Sequence, residues 1–268
     1  MNTPTFAVSD QVHLTVEVLP DGNKTAAQAL IERLPFPKAG NNQAKTADDT
    51  LAALAIQFDS DGVALTDGTM LLRHDFHEML PRIKPGKLQR ELLVRAAKIK
   101  QSHNSNVPVV IDATAGLGED SFLLAAAGFQ VYLIEHDPII AALLTDALQR
   151  AKTNPETASV VQRMQLIEGD SVAILNATND TLPAPDVIYL DPMFPERTKS
   201  AAVKKKFQIL HHLQRPCENA ETLLQAALAN KPQKTVIKRP LKGPFLADVK
   251  PSYSLKGKMV RYDCIVHA

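Results

Sequence analysis

The most constraining feature of this sequence is an alternation, beginning near residue 107, of short apolar runs with segments of helical periodicity. Apolar runs of strand length that are separated by helices are typical of a parallel sheet covered on both faces. The predicted strands are 109–111, 130–134, 164–167, 187–190, 235–237 and 260–266, and the predicted helices are 121–127, 138–151 and 223–229. The last strand closes the sheet, and its direction is left open. We therefore predict an α/β, Rossmann-like fold.

The beginning of the chain has a different organisation. Its predicted elements are a strand at 12–18, a helix at 25–34 and a hairpin formed by 51–58 and 63–65. These patterns predict a small N-terminal α/β domain at 1–85, followed by the larger α/β domain at 86–268.

Patterns that indicate other classes of protein are missing from the sequence. No apolar run approaches the roughly 18 residues that a membrane span needs, and the first residues lack the basic and then apolar pattern of a secretory signal. Cys217 and Cys264 have no C-x-x-C or His-rich companion, so neither a disulfide framework nor a zinc site is indicated. We therefore expect a cytoplasmic protein with no membrane association and no metal.

Charge is distributed unevenly along the chain, although the formal net charge is only +1. Residues 1–195 contain 15 lysines and arginines against 24 aspartates and glutamates, whereas residues 196–268 contain 15 against 5. A basic region beside an active site suits a polyanionic substrate, because neutralising phosphates supplies most of the sequence-independent affinity for nucleic acid. On charge alone, a solvated surface explains the pattern equally well.

A glycine-containing turn follows the first predicted strand of the larger domain, with the sequence Asp112-Ala-Thr-Ala-Gly-Leu-Gly118. Gly116 and Gly118 allow the backbone to approach a ligand at the start of the next helix. Glu119 and Asp120 begin that helix and would repel the pyrophosphate of a dinucleotide, and the third glycine of the dinucleotide motif is absent. S-adenosylmethionine carries a sulfonium and an amino group but no phosphate, so the acid-lined turn favours it as the cofactor.

Carboxylates also end the next two predicted strands, Glu135 after the second and Asp170 after the third. The carboxyl ends of parallel strands meet at one edge of the sheet, where ligands of doubly wound folds bind. An acid after the second strand commonly accepts hydrogen bonds from ribose hydroxyls, and Asp170 is placed to bind an adenine amine. These positions favour a nucleoside as part of the ligand.

The segment Asp191-Pro-Met-Phe-Pro195 directly follows the apolar strand 187–190 and resembles the D/N-P-P-F/Y/W loop of methyltransferases that act on planar amines. Its residue types match that chemistry. The lone pair of a base amine is conjugated into the ring, and acceptors for its N–H protons help to localise that pair. Asp191 and the backbone carbonyl of Pro192 are the candidate acceptors, and Phe194 offers a face on which an extruded base stacks. The alternative is a Pro-rich turn with no catalytic role.

Basic residues follow this segment and a later strand end. The candidate phosphate contacts are Arg197, Lys199, Lys204, Lys205, Lys238 and Arg239. A solvated charged face is the alternative interpretation for each group.

These segments together resemble the ribosomal small-subunit methyltransferase J family. The resemblance is carried by residues 112–118, 138–144, 189–195, 199–205 and 236–240. Asp-Pro-Met-Phe-Pro followed by Lys-Ser-x-x-Val-Lys-Lys is far more specific than a generic cofactor turn, and the family carries Met at the position of Met193.

The resemblance implies a class I methyltransferase fold with a seven-stranded, mainly parallel sheet. It implies transfer of a methyl group from S-adenosylmethionine to guanine N2 in 16S rRNA, with free rRNA or the small ribosomal subunit as the partner. It also implies cofactor contacts at Glu119, Asp120, Glu135, His136, Asp170, Ser171 and Asp191. The family often has Arg where Glu119 and His136 stand here.

Two other functions stay open at this point. One is an amine methyltransferase acting on DNA, a different RNA or a protein side chain, for which the Asp-Pro-x-Phe segment is equally suitable. The other is a non-catalytic RNA-binding assembly factor with the same fold, against which an intact Asp191 and Phe194 argue. A nicotinamide dehydrogenase is disfavoured by the acid-lined turn.

Overall fold

A computed structural model describes residues 4–9, 12–36, 52–100, 107–177, 182–192, 209–210 and 220–267. Its contacts divide the chain into two compact units. The described parts of 1–74, 138–150 and 195–215 form the first unit, and those of 75–137, 151–194 and 216–268 form the second. Among the described residues, no helix is both long enough and apolar enough to cross a membrane.

The first unit contains a five-stranded sheet whose spatial order follows the chain. Its strands are β1 (Thr5–Ser9), β2 (Val12–Val18), β3 (Ala52–Asp59), β4 (Gly62–Thr66) and β5 (Leu71–Leu72), with α1 at Lys24–Arg33. The strands β2 and β3 pair in parallel and the other pairs are antiparallel. Alternate residues of β2 are buried, which is the pattern of a sheet with one covered face. The predicted strand, helix and hairpin of this region are confirmed.

The second unit contains a seven-stranded sheet in the order β11-β12-β10-β9-β6-β7-β8. Its strands are β6 (Val109–Asp112), β7 (Gln130–Glu135), β8 (Met164–Glu168), β9 (Val187–Leu190), β10 (Lys234–Pro240), β11 (Tyr253–Lys256) and β12 (Val260–Val266). Only β12 runs against the others, and it pairs with β10 on one side and β11 on the other. The predicted seven-stranded, mainly parallel sheet is confirmed, and its last strand is antiparallel.

Helices cover this sheet. The described α-helices of the second unit are α2 (Leu80–Ile83), α3 (Leu92–Ala97), α4 (Glu119–Ala126), α6 (Ala158–Val161), α7 (Ser171–Asn176) and α8 (Ala220–Ala229), whereas most of α5 (Pro138–Thr153) belongs to the first unit. Every residue of β6 and β9 is buried, as expected for central strands that helices cover on both faces. Ile188 on β9, Leu224 on α8 and Ile237 on β10 belong to one buried cluster.

The loop that follows β10 is fixed by a buried arginine on β12. The Arg261 side chain is 6% exposed, and its Nε lies 2.9 Å from Oδ1 of Asp263. Its remaining N–H groups donate to the backbone carbonyls of Pro240, Leu241, Gly243 and Pro244, at distances of 2.8 to 3.2 Å. A planar guanidinium supplies this many donors in one fixed geometry, which a lysine ammonium does not.

Arg261→Lys therefore leaves buried carbonyls without a donor, and we expect it to lower the free energy of unfolding by roughly 2–4 kcal/mol. Chemical denaturation measures this change. Arg163→Lys is the matched control, because Arg163 is exposed and donates to the carbonyl of Ser159 from the surface. Equal stabilities of the two variants would contradict the role given to Arg261.

Candidate active site at the carboxyl ends of the strands

The parallel strands of the second unit bring the predicted site residues to one edge of the sheet. β7 lies beside β6 and β8, and β9 lies beside β6 and β10, all in parallel. The carboxyl ends of these strands therefore meet at a single edge. The residues at or just beyond those ends are Asp112, Glu135, Asp170, Asp191 and Lys238.

The turn between β6 and α4 has the backbone conformation that its glycines predict. Gly116 and Gly118 have φ values of 54° and 75°, in the left-handed region that favours glycine. Gly118 is the N-cap of α4, and its N–H donates to the carbonyl of Ala115 at 2.8 Å. A Cβ atom added at Gly116 would meet no atom within 4 Å. Backbone conformation therefore requires this glycine, and the space beside it is open.

The Glu135 carboxylate holds this turn against the end of β7. Its Oε2 accepts the N–H of Gly116 at 2.8 Å, and its Oε1 accepts the N–H of Asp137 at 2.8 Å. The residue is 7% exposed, and burial raises the pKa of its carboxyl group. His136 beside it has a side chain that is 70% exposed, with Nδ1 3.5 Å from Oε1 of Glu135. A carboxylate has about four acceptor positions, so Glu135 keeps acceptor capacity beyond these two backbone bonds.

Asp112 is buried beneath the turn. It is 1% exposed, and its oxygens accept the Ser121 hydroxyl at 2.6 Å and the Thr114 N–H at 3.1 Å. Burial raises the pKa of Asp112 to about 7, because removal from water disfavours the charged form. Asp112 therefore contacts the turn itself rather than open space.

Asp170 and Ser171 begin α7 at the end of β8. Asp170 is exposed and caps the helix, since its side chain accepts the Ala173 N–H at 2.7 Å. Ser171 donates its hydroxyl to the carbonyl of Ala113 at 2.7 Å, which ties this helix to the turn after β6. The start of α7 and that turn are thus held together at the edge where the predicted nucleoside site lies.

Asp191 lies at the centre of a charged network. Its backbone N–H donates to Oγ1 of Thr114 at 2.7 Å, and the Lys238 ammonium lies 2.7 Å from its Oδ2 and 2.9 Å from Oδ2 of Asp120. Tyr189 donates its hydroxyl to the same Asp120 oxygen at 2.6 Å. The network connects β9, β10 and the first turn of α4.

The charges in this network act on one another. Burial raises the pKa of Asp191, the Lys238 charge lowers it and Asp120 raises it, with a net increase above the ordinary value. Burial lowers the pKa of Lys238, but the charges of Asp120 and Asp191 outweigh this effect and raise it overall. The Asp191 side chain is 33% exposed. It is therefore an accessible carboxylate with a fixed cationic partner.

The other predicted residues are placed as follows. Glu119 is partly buried at the first position of α4, and Pro192 is buried directly after Asp191. Arg239 is 2% exposed and donates through Nε to the carbonyl of Pro244 at 2.9 Å. Both basic side chains at the end of β10 therefore have partners inside the protein, an environment that favours internal roles for them. Phe194, Arg197, Lys199, Lys204 and Lys205 lie outside the described residues.

Three features of the site were not predicted from the sequence: the roles of Thr114 and Tyr189 and the pairing of Lys238. Thr114 stands among small turn residues, and Tyr189 stands in a buried apolar strand. Neither position has a local sequence signal for a site residue. The lysine after the strand 235–237 is visible in the sequence, but its partners lie 47 and 118 positions away.

The buried Asp112 carboxyl generates a prediction for stability. Its pKa rises from an ordinary 3.8 to about 7 in the native state, so the unfolded chain loses this proton first as the pH rises. Stability contributed at this site is therefore lost between about pH 4 and pH 7. Asparagine does not ionise. We therefore expect the free energy of unfolding of Asp112→Asn, relative to that of the unsubstituted protein, to rise by about 3 kcal/mol between pH 5 and pH 8. Denaturation at each pH measures this difference. Parallel curves of stability against pH would contradict the buried-carboxyl interpretation.

Comparison with known proteins agrees with this fold and site. The family model described as "Putative SAM-dependent methyltransferase" matches residues 42–267. A protein of Pseudomonas aeruginosa named Ribosomal RNA small subunit methyltransferase J is 40% identical over 256 residues, covering 93% of each chain. A protein of the same name from Nitrosococcus oceani is 47% identical over 183 residues, covering 68% of this chain and 70% of its own.

A solved structure supports the same assignment. The crystal structure of a SAM-dependent methyltransferase from Neisseria gonorrhoeae superposes with a TM-score of 0.69 and 28% identity, covering 94% of this chain and 95% of its own. The family model matches residues 42–267, a range that includes the turn after β6 and the segment after β9. The chain therefore belongs to the ribosomal RNA small subunit methyltransferase J family of S-adenosylmethionine-dependent methyltransferases.

Proposed function

We propose that the protein transfers a methyl group from S-adenosylmethionine to the exocyclic N2 amine of a guanosine in 16S rRNA. The observation that carries this proposal is the accessible Asp191 carboxylate, which is linked to the cofactor turn through Thr114 and to a fixed cation, Lys238. The names of the relatives support ribosomal RNA of the small subunit as the substrate. The N2 amine is supported by the fit of Asp191-Pro192 to a planar amine and by the family resemblance.

The residues of the turn fit the proposed cofactor. S-adenosylmethionine supplies an electrophilic methyl group on a cationic sulfur, and the acids at this edge suit a cation. We assign ribose hydroxyls to Glu135, which retains free acceptor positions, and the adenine amine to Asp170, which is exposed. The backbone around Gly116 faces open space. The remaining proposed cofactor contacts are Asp112 and Gly118 through the turn, and Glu119, Asp120, His136, Ser171 and Asp191 from the family pattern.

Asp191 and the carbonyl of Pro192 would accept the two N–H protons of the amine. Those hydrogen bonds localise the nitrogen lone pair and direct it towards the methyl group. A strong general base is unnecessary, because the product ammonium is acidic and loses its proton readily. Most of the acceleration comes from holding the reacting atoms in line, and Phe194 contributes by stacking on the extruded base.

Lys238 acts as a positioning residue in this scheme. Its ammonium is shared by Asp120 and Asp191, so it fixes the orientation of the Asp191 carboxylate and favours its ionised form. An ionised carboxylate offers acceptors only, whereas a protonated one presents a competing O–H donor. The acceptor function of Asp191 therefore depends on this cation.

We propose further roles for other parts of the chain. Arg197, Lys199, Lys204 and Lys205 contact phosphates that flank the target base, and Arg239 supports the loop after β10. Catalysis resides in a domain at 86–268, with a separate small domain at 1–85. We place the reaction in the cytoplasm, because the relatives are named for ribosomal RNA as substrate.

A labelling experiment tests the function. The purified protein is incubated with methyl-labelled S-adenosylmethionine and unmodified small-subunit rRNA or particles, followed by nucleoside analysis. We expect label in N2-methylguanosine, and a loss of at least about 100-fold in turnover for Asp191→Asn. The Asn amide has one acceptor oxygen in place of two, and the Lys238 ammonium, which binds Asp191 Oδ2, competes for it. Asp21→Asn is the matched control, as Asp21 is an exposed carboxylate in the turn between β2 and α1. Label confined to another nucleoside or to protein, or near-normal turnover of Asp191→Asn, refutes the proposal.

The pH profile tests the role of Lys238. Lys238→Met removes the charge that lowers the pKa of Asp191, so the acid limb of the kcat profile should move to higher pH and kcat should fall about 10-fold or more. Lys238→Arg keeps the charge and should restore most of the acid limb. A raised KM for rRNA with an unchanged pH profile would instead indicate that Lys238 contacts phosphate directly.

A further inference from the structure

Two turns lie side by side at the same edge of the sheet as the candidate active site. One is the loop 241–245 after β10, and the other is the turn 257–259 between β11 and β12; together they are called the β10/β12 corner. The N–H of Leu241 donates to the carbonyl of Met259 at 3.1 Å, which joins the two turns directly. The loop begins three residues after Lys238, or about 10 Å along the strand.

Hydrogen bonds and a cation–π contact from Arg261 hold the corner in place. Arg261 donates to the carbonyls of Leu241 and Gly243, and its guanidinium carbon lies 5.2 Å from the centroid of the Phe245 ring. Gly257 closes the second turn by donating to the carbonyl of Val260 at 2.8 Å. A surface that is fixed before binding loses little conformational entropy when a ligand arrives.

The exposed side chains of the corner combine positive charge with apolar surface. Met259 is 76% exposed and Phe245 is 39% exposed. Lys242 and Lys258 are exposed, and neither ammonium has an ion pair within the described parts of the chain. Residues 240–260 contain four lysines and a single acid, Asp248. This composition suits a polyanion that also presents flat apolar faces.

We propose that the β10/β12 corner binds the rRNA strand next to the target nucleotide, with Lys242 and Lys258 on phosphates and with Phe245 and Met259 against a neighbouring unstacked base. The inference rests on the proposed function, since it names a contact surface for the same substrate. Single-stranded RNA has both features that the corner matches, a charged backbone and bases free to stack. The corner and Asp191 share one edge of one sheet, so a strand that places a base at Asp191 can continue over the corner.

The test compares two charge-matched double variants. Lys242→Gln/Lys258→Gln removes two charges from the corner. Lys152→Gln/Lys231→Gln removes two charges from exposed positions elsewhere, in the last turn of α5 and just before β10 begins. Binding of a small-subunit rRNA fragment is measured across a salt series, alongside the KM for rRNA, the affinity for S-adenosylmethionine and the melting temperature.

For the corner variant we expect a KM for rRNA about 10-fold higher and a salt dependence weaker by about one to two phosphate contacts. Cofactor affinity and melting temperature should not change, and the control variant should behave as the unsubstituted protein. Met259→Ser should weaken RNA binding without changing the salt dependence, because Met259 carries no charge.

Three outcomes overturn the inference. The first is rRNA binding by the corner variant that equals that of the unsubstituted protein while the unsubstituted protein methylates rRNA, which leaves the proposed function intact. The second is an equal loss in both variants, which indicates general charge attraction. The third is lysine-dependent binding of the corner to vesicles of anionic phospholipid with no effect on rRNA. Failure of the unsubstituted protein to methylate or bind rRNA refutes the proposed function itself.

Discussion

The organisation of the site depends on the hydrogen-bond donors and the cation that its carboxylates bind. The ends of the parallel strands place these carboxylates in partly or fully buried positions. A carboxylate in a dry environment needs donors or a cation, or it takes up a proton. Asp112, Glu135 and Asp191 meet this requirement in different ways. Asp112 is fully buried with a serine hydroxyl and one backbone N–H, Glu135 accepts two backbone N–H groups, and Asp191 is paired with a lysine.

The three carboxylates therefore have different roles at the site. Two of the donors bound by Asp112 and Glu135, the N–H groups of Thr114 and Gly116, belong to the glycine turn. These two carboxylates therefore fix the backbone that we propose faces the cofactor. Asp191 is held by a single side-chain cation and stays partly exposed, as its proposed role as acceptor for a substrate amine requires. Thr114 connects the two halves, because it donates its N–H to Asp112 and accepts the N–H of Asp191. In the proposed function, binding of the cofactor and positioning of the acceptor therefore depend on one turn.

Local sequence signals predict those parts of this arrangement that depend on neighbouring residues. The apolar runs of the central strands predict a covered parallel sheet, and the glycines of the turn predict its left-handed backbone. The strand β11 was not predicted, because Tyr-Ser-Leu-Lys has no continuous apolar run and is only partly buried. β1 and the two-residue β5 were also missed, since short edge strands carry little periodicity. The Lys238–Asp191 pair depends on the register between β9 and β10. No local sequence pattern encodes that register. Lys238 therefore resembles a phosphate contact in the sequence but has two carboxylate partners in the structure.

The most direct test of the account is a measurement on cellular 16S rRNA. Mass spectrometry of nucleosides and mapped fragments from cells that lack this protein is compared with cells that carry the unsubstituted protein or Asp191→Asn. The account predicts that N2-methylguanosine is lost at one position, is restored by the unsubstituted protein and is not restored by the variant. An unchanged N2-methylguanosine content in the deleted cells, or full restoration by Asp191→Asn, would contradict it.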